Sequence, residues 1–98
     1  MINVSSQLGS LENMTDGWVG YGISKSALNA ATRKLADALK PRGISVIAAS
    51  PGWVRTEMGG EGAPLPVEKG AENIVRHLTE TPESVTGQFL SEQGQIPW

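Results

Sequence analysis

Apolar residues along the chain fall into short runs broken by Gly, Pro and small polar residues, and the spacing changes from one run to the next. Ile2-Asn3-Val4-Ser5-Ser6 starts with β-branched residues and turns small and polar, which predicts a short strand. Residues 7–20 carry Gly9, Asn13, Asp16, Gly17 and Gly20 without a sustained period and are expected to form a loop. From Tyr21 to Lys40 the composition shifts to Ala, Leu, Lys and Arg. Leu28, Ala31, Leu35 and Leu39 recur there at steps of three and four, which places them on one helical stripe. Pro41 and Gly43 close that helix. Ile44–Ala49 is a mostly apolar run of strand length, continuous rather than alternating, as suits a strand covered on both faces in a parallel sheet.

Pro51-Gly52 ends the second strand, and Gly59, Gly60, Gly62, Pro64 and Pro66 keep the chain in loop until a second helix over Val67–Glu80. Ala71, Ile74, Val75 and Leu78 form its expected buried stripe, with Glu72 and Arg76 as an outward i,i+4 pair. Thr86–Leu90 is a weaker third strand, followed by a tail ending in Trp98. The order strand, helix, strand, helix, strand predicts an α/β unit with right-handed parallel crossovers.

Composition narrows the function classes. With 39% hydrophobic and 18% charged residues and a net charge of -2, the chain is globular rather than a disordered polyelectrolyte. The absence of Cys removes disulfides, thiol catalysis and thiolate metal sites, and suits a reducing compartment. A pI near 5.3 argues against a nucleic-acid partner. No apolar run approaches the roughly 20 residues of a membrane span, and no signal-peptide pattern is present. The expectation is a soluble, cytoplasmic globular chain, either one small domain or a piece of a larger one. His77, with no second His and no Cys, reads as a half-exposed helix residue, and no metal site is expected.

Tyr21 and Lys25 lie four apart at the start of the first helix and so share a face. A phenol is a poor proton donor or acceptor at neutral pH, and an ammonium one turn away stabilises the phenolate. The pair alone also fits a surface Tyr packed on a Lys stem. Its setting adds weight: Ser5-Ser6 leaves the first strand at its C-terminal end, where open α/β sheets bind ligands, and Pro51-Gly52-Trp53-Val54-Arg55-Thr56 leaves the second strand at the same edge.

These segments together resemble the short-chain dehydrogenase/reductase superfamily. The matching pieces are Asn3-Val4-Ser5-Ser6, Tyr21-Gly22-Ile23-Ser24-Lys25 and Pro51-Gly52-Trp53-Val54-Arg55-Thr56. Arg42–Val46 and the Phe89-Leu90 to Pro97-Trp98 ending look like the C-factor and sniffer-like carbonyl reductase branch. The resemblance implies the C-terminal part of a Rossmann-type doubly wound parallel sheet. It implies hydride transfer between a nicotinamide cofactor, NADP or else NAD, and a small carbonyl or alcohol substrate. Tyr21 would exchange the proton with the substrate oxygen. Lys25 would stabilise the phenolate and bind the nicotinamide ribose. Ser6 would hold the substrate oxygen, with Ser5 and Ser10 as alternatives. The Val54 backbone and the Thr56 hydroxyl would take the carboxamide, with Pro51-Gly52 allowing close approach. Trp18 and Trp53 would flank the substrate or serve as core or lid residues, and Met58-Gly59-Gly60 would form a mobile lid or, without the missing half, a disordered segment.

The sequence also departs from the family. No Gly-x-Gly-x-x-Gly occurs; Gly20 and Gly22 begin the spacing, but Lys25 takes the third place. Residues 1–98 are therefore expected to be a catalytic C-terminal portion without the dinucleotide-binding half. The alternative expectation is an inactive fragment that acts as an interaction module with a full-length relative. The resemblance also implies that the helix over Tyr21–Lys40 could serve as the interface of a homo-oligomer.

Overall fold

β1 (Ile2–Val4) and β2 (Ile47–Ala49) pair in parallel with Ile2 opposite Ile47, and β2 pairs in parallel with β3 (Phe89–Ser91). The computed structural model describes all 98 residues. Helix α1 (Val19–Leu39) joins β1 to β2, and helix α2 (Val67–Glu80) lies between β2 and β3. The α/β architecture expected from the alternation is present, with sheet order β1-β2-β3-β4. β2 sits between two parallel neighbours, and Val46 through Ala49 are all 3% exposed or less, as the continuous apolar run implied.

Several expectations need correction. β2 is shorter than the predicted Ile44–Ala49. Gly43, at a φ of 72°, turns the chain out of α1, and the Ile44 N–H bonds back to the Leu39 carbonyl. Side chains replace the ladder next: Ser45 Oγ donates to the Val85 carbonyl, and the Val46 N–H donates to Thr86 Oγ1. β3 starts at Phe89 rather than Thr86 because Gly87, at a φ of 69°, breaks the extended run. The tail after β3, to which the sequence assigned no element, carries a fourth strand: β4 (Gly94–Gln95) folds back antiparallel on β3. Ser91 Oγ organises this turn, accepting from the Gln93 N–H and donating to the Gly94 carbonyl. The expected loop contains a 3-10 turn at Gln7–Gly9.

The larger corrections concern helix faces. On α1 the buried residues are Gly22, Asn29, Thr32 and Ala36, whereas Leu35 is 38% exposed and Ala31 is also exposed. On α2 the buried residues are Gly70 and Asn73, while Val75 and Leu78 are 56% and 68% exposed. Within residues 1–98 the faces turned to the strands and turns carry small and polar residues, and the more apolar stripes are left exposed. The expected Glu72–Arg76 pair is likewise replaced by Lys69–Glu72 and Arg76–Glu80. The apolar core is a small cluster of Ala48, Phe89 and Ile96, with Trp98 stacked on Phe89 at 5.7 Å. No helix is long and apolar enough to cross a membrane.

Candidate active site

The C-terminal ends of β1, β2 and β3 open into one cleft of about 810 Å³. Ser6, Tyr21, Pro51, Gly52, Val54 and Thr56 all line it, as do Trp18, Trp53 and Met58. Convergence follows from parallel pairing, because each strand delivers its exit loop to the same edge of the sheet.

Three serines could follow β1 into this site, and their surroundings differ. Ser5 is 3% exposed and donates to Asn29 Oδ1 at 2.7 Å. Ser10 is fully buried and donates to the Pro97 carbonyl at 2.7 Å. Only Ser6 of the three lines the cleft, where its Oγ accepts the Leu8 N–H at 3.1 Å and keeps its own proton to donate. The 3-10 turn that carries Ser6 is pressed onto α1. A Cβ on Gly9 would lie 2.8 Å from the backbone carbon of Lys25, and one on Gly22 would lie 3.1 Å from the Leu8 carbonyl oxygen. The Gly9 carbonyl accepts from Ser26 Oγ at 2.8 Å and Asn29 Nδ2 at 3.4 Å. Gly9, Ser26 and Asn29 thus set the distance between the serine strand and the tyrosine helix. Sequence reasoning passed over them, since a loop glycine and a helical Asn carry no signal without the packing.

Tyr21 sits in the first turn of α1, with Trp18 edge-on at 6.3 Å between ring centroids. Trp18 caps the helix in left-handed backbone at a φ of 53°. Lys25 lies one turn on, its Nζ 5.5 Å from the centre of the Tyr21 ring and donating to the Val4 carbonyl at 3.3 Å. Lys25 is not among the residues that line the cleft. Ser24 Oγ caps the Tyr21 carbonyl at 2.7 Å, a local helix bond.

The second wall is the segment after β2. Gly52 has a φ of 93°, which favours glycine on conformational grounds, and a Cβ there would come within 2.6 Å of Leu65 Cδ1 and push that side chain aside. Asn73, 1% exposed on α2, donates to the Pro51 carbonyl at 3.0 Å. One turn earlier Gly70 leaves room for the Val54 side chain. The inner face of α2 is therefore a clamp on residues 51–54. The Val54 N–H has no partner within the chain, while its carbonyl accepts from the Thr56 N–H at 2.9 Å. Thr56 Oγ1 accepts from the Gly59 N–H at 3.0 Å and retains a proton to donate. Gly59 also accepts from Trp53 Nε1 at 2.9 Å, so Met58-Gly59-Gly60 is a hydrogen-bonded turn at the mouth of the cleft. No group of three or more His, Cys, Asp or Glu is placed to hold a metal ion.

The parallel sheet brings Ser6, the Tyr21–Lys25 helix and the Gly52 turn to one edge, and comparison with known proteins places the chain in a family. The family profile described as short chain dehydrogenase matches residues 1–64, more than half of the chain, and the chain belongs to that family. C-signal of Myxococcus xanthus is 38% identical over 98 residues, spanning 98% of this chain and 59% of its own length. Carbonyl reductase [NADPH] 1 of Homo sapiens is 36% identical over 91 residues, spanning 85% of this chain and 33% of its own. Among solved structures, the carbonyl reductase Sniffer of D. melanogaster superposes with a TM-score of 0.91 at 43% identity, over 99% of this chain and 40% of that one. The NADPH-bound carbonyl reductase from chicken fatty liver gives 0.88 at 31% identity, over 99% and 42%. This chain therefore spans about three-fifths of C-signal and between 33% and 42% of the reductases. The branch expected from the sequence, C-factor and sniffer-like carbonyl reductases, is the one these relatives represent.

Proposed function

We propose that residues 1–98 are the catalytic C-terminal portion of an NADP-dependent reductase acting on a small-molecule ketone or aldehyde, or on the corresponding alcohol in reverse. The observation that carries this reading is the convergence of Ser6, Tyr21, Gly52 and Thr56 on one cleft, with Lys25 one helical turn behind Tyr21. The cradle fits a nicotinamide. The Val54 N–H is free to donate and the Thr56 hydroxyl keeps its proton, while the bare Gly52 lets Leu65 and Glu92 pack against the turn that carries them. When bound, NADPH supplies the hydride. The adenosine and pyrophosphate contacts would come from chain outside residues 1–98, since no glycine-rich phosphate loop occurs within them.

Within that reading Ser6 donates to the substrate oxygen and fixes its direction. Tyr21 gives its phenolic proton to the same oxygen as charge develops there. Lys25 stabilises the resulting phenolate and reaches the ribose hydroxyls. Self-association, where it occurs, uses α1, whose outer surface carries Val19 and Ile23 at 64% and 61% exposure. A second reading, an interaction module without cofactor, is supported by the outer edge of β1, which has no strand beside it.

Tyr21→Phe in the full-length protein tests the first reading. Ketone reduction is expected to fall by at least about 10³-fold with the fold unchanged, because only the proton is removed. Reduction by the Phe variant at the wild-type rate would overturn the assignment. An NADPH titration separates the second reading: saturable binding to the full-length protein is incompatible with a module that takes no cofactor.

A further inference from the structure

Glu92 is the only charged residue among the 17 that line the cleft, and the reductase reading gives it no role. It lies in the turn between β3 and β4, beside Gly52, where a Cβ would come within 3.3 and 3.4 Å of its two carboxylate oxygens. Oε2 is sealed from solvent and has no hydrogen-bond partner. Arg76 does not relieve it: its Nη2 donates to the Glu92 main-chain carbonyl at 3.4 Å, and its Nε is paired with Glu80 at 3.3 Å. Oε2 thus lacks both water and a donor while the half-exposed residue still faces the cleft, and the groups that best satisfy such a carboxylate are cationic donors. The rest of the cleft suits the same ligand, because Trp18, Tyr21 and Trp53 present aromatic surface and no Lys or Arg is among the lining residues.

We propose that Glu92 is a specificity determinant, and that the preferred substrates of this cleft are carbonyl compounds that also carry a protonated amine. The ammonium group sits at the Glu92 carboxylate between aromatic walls, with the carbonyl directed toward Ser6 and Tyr21. The ketone half of this inference rests on the reductase reading; recognition of the ammonium does not.

The test compares two aryl ketones of the same shape, para-(aminomethyl)acetophenone, which is cationic at neutral pH, and para-ethylacetophenone, which is neutral. Both are titrated by calorimetry into the full-length protein and its Glu92→Gln variant, with and without saturating NADPH, and both are assayed for reduction. The wild type is expected to bind the ammonium ketone roughly tenfold more tightly than the ethyl ketone. Glu92→Gln is expected to abolish that preference, bringing the ammonium ketone to the affinity of the ethyl ketone. Equal binding of the two ketones by the wild type overturns the proposal without recourse to any variant. So does a Glu92→Gln variant that keeps the preference, or one that weakens NADPH alone. Binding selectivity without reduction would instead remove the reductase reading and leave the ammonium site standing.

Discussion

Asn73 shows how a single buried amide can serve a site that it does not enter. Its Nδ2 holds the Pro51 carbonyl at 3.0 Å, and its Oδ1 is buried without a partner. Asn73→Ala leaves that carbonyl unpaired and releases the Gly52 turn, at a cost of about 1–3 kcal/mol. Denaturant unfolding measures the loss, and a rise in KM for NADPH larger than any fall in kcat would locate it at the cofactor wall. His77 behaves differently. Burial, and then the charge of Arg76, lower its pKa from the ordinary 6.5, against an opposing pull from Glu80. The folded state therefore binds fewer protons than the unfolded chain, so the His77 contribution is complete above pH 6.5 and is lost as pH falls through the lowered folded value. His77→Gln is expected to reduce the loss of stability on acidification across that window, as read from unfolding midpoints compared with wild type.

The helices were legible as elements more readily than as surfaces. Their positions followed from composition and from Pro and Gly at their ends, because breakers act through the local backbone. Their buried faces did not follow, because Gly22, Asn29 and Thr32 on α1 and Gly70 and Asn73 on α2 are inside only by virtue of the turn or strand opposite each of them. Two glycines near the start of α1 make the distinction measurable. Gly9→Ala forces a Cβ to 2.8 Å from Lys25 main chain that cannot yield, so it is expected to cost about 1–3 kcal/mol. It is also expected to lower kcat by moving Ser6 away from Tyr21. Gly20→Ala, with nothing within 4 Å of the added methyl, is expected to stabilise by about 0.5–1 kcal/mol and leave turnover alone. Equal effects of the two would show that the 3-10 turn does not bear on α1 as described.

Over the whole molecule, only 19 of 98 residues are buried and the outer edge of β1 is unpaired, while Val19, Ile23, Val75 and Leu78 are more than half exposed. Ordering the backbone costs about 1–2 kcal/mol per residue, and a core this small offsets little of it beyond the few large side chains at Phe89 and Val46. These 98 residues by themselves are expected to associate or to remain loosely packed. Sedimentation at several low-micromolar concentrations, beside chemical denaturation, measures this. A monomer with one sharp, concentration-independent transition would show that this core suffices alone.

What the sequence determined by itself was whatever depends on short spans of chain. The alternation of strand and helix, the four-residue spacing that stacks Lys25 on Tyr21, and the Pro51-Gly52 turn straight after a buried strand all follow from helix pitch, strand period and proline or glycine geometry. The tertiary structure alone decided which of Ser5, Ser6 and Ser10 meets the cleft. It also put an amide behind Pro51 and a carboxylate beside Gly52, through residues 22 and 40 positions further along the chain. Such choices turn on the shape and hydrogen-bonding needs of the element packed opposite, and neither hydrophobicity nor spacing along one strand or helix carries that information.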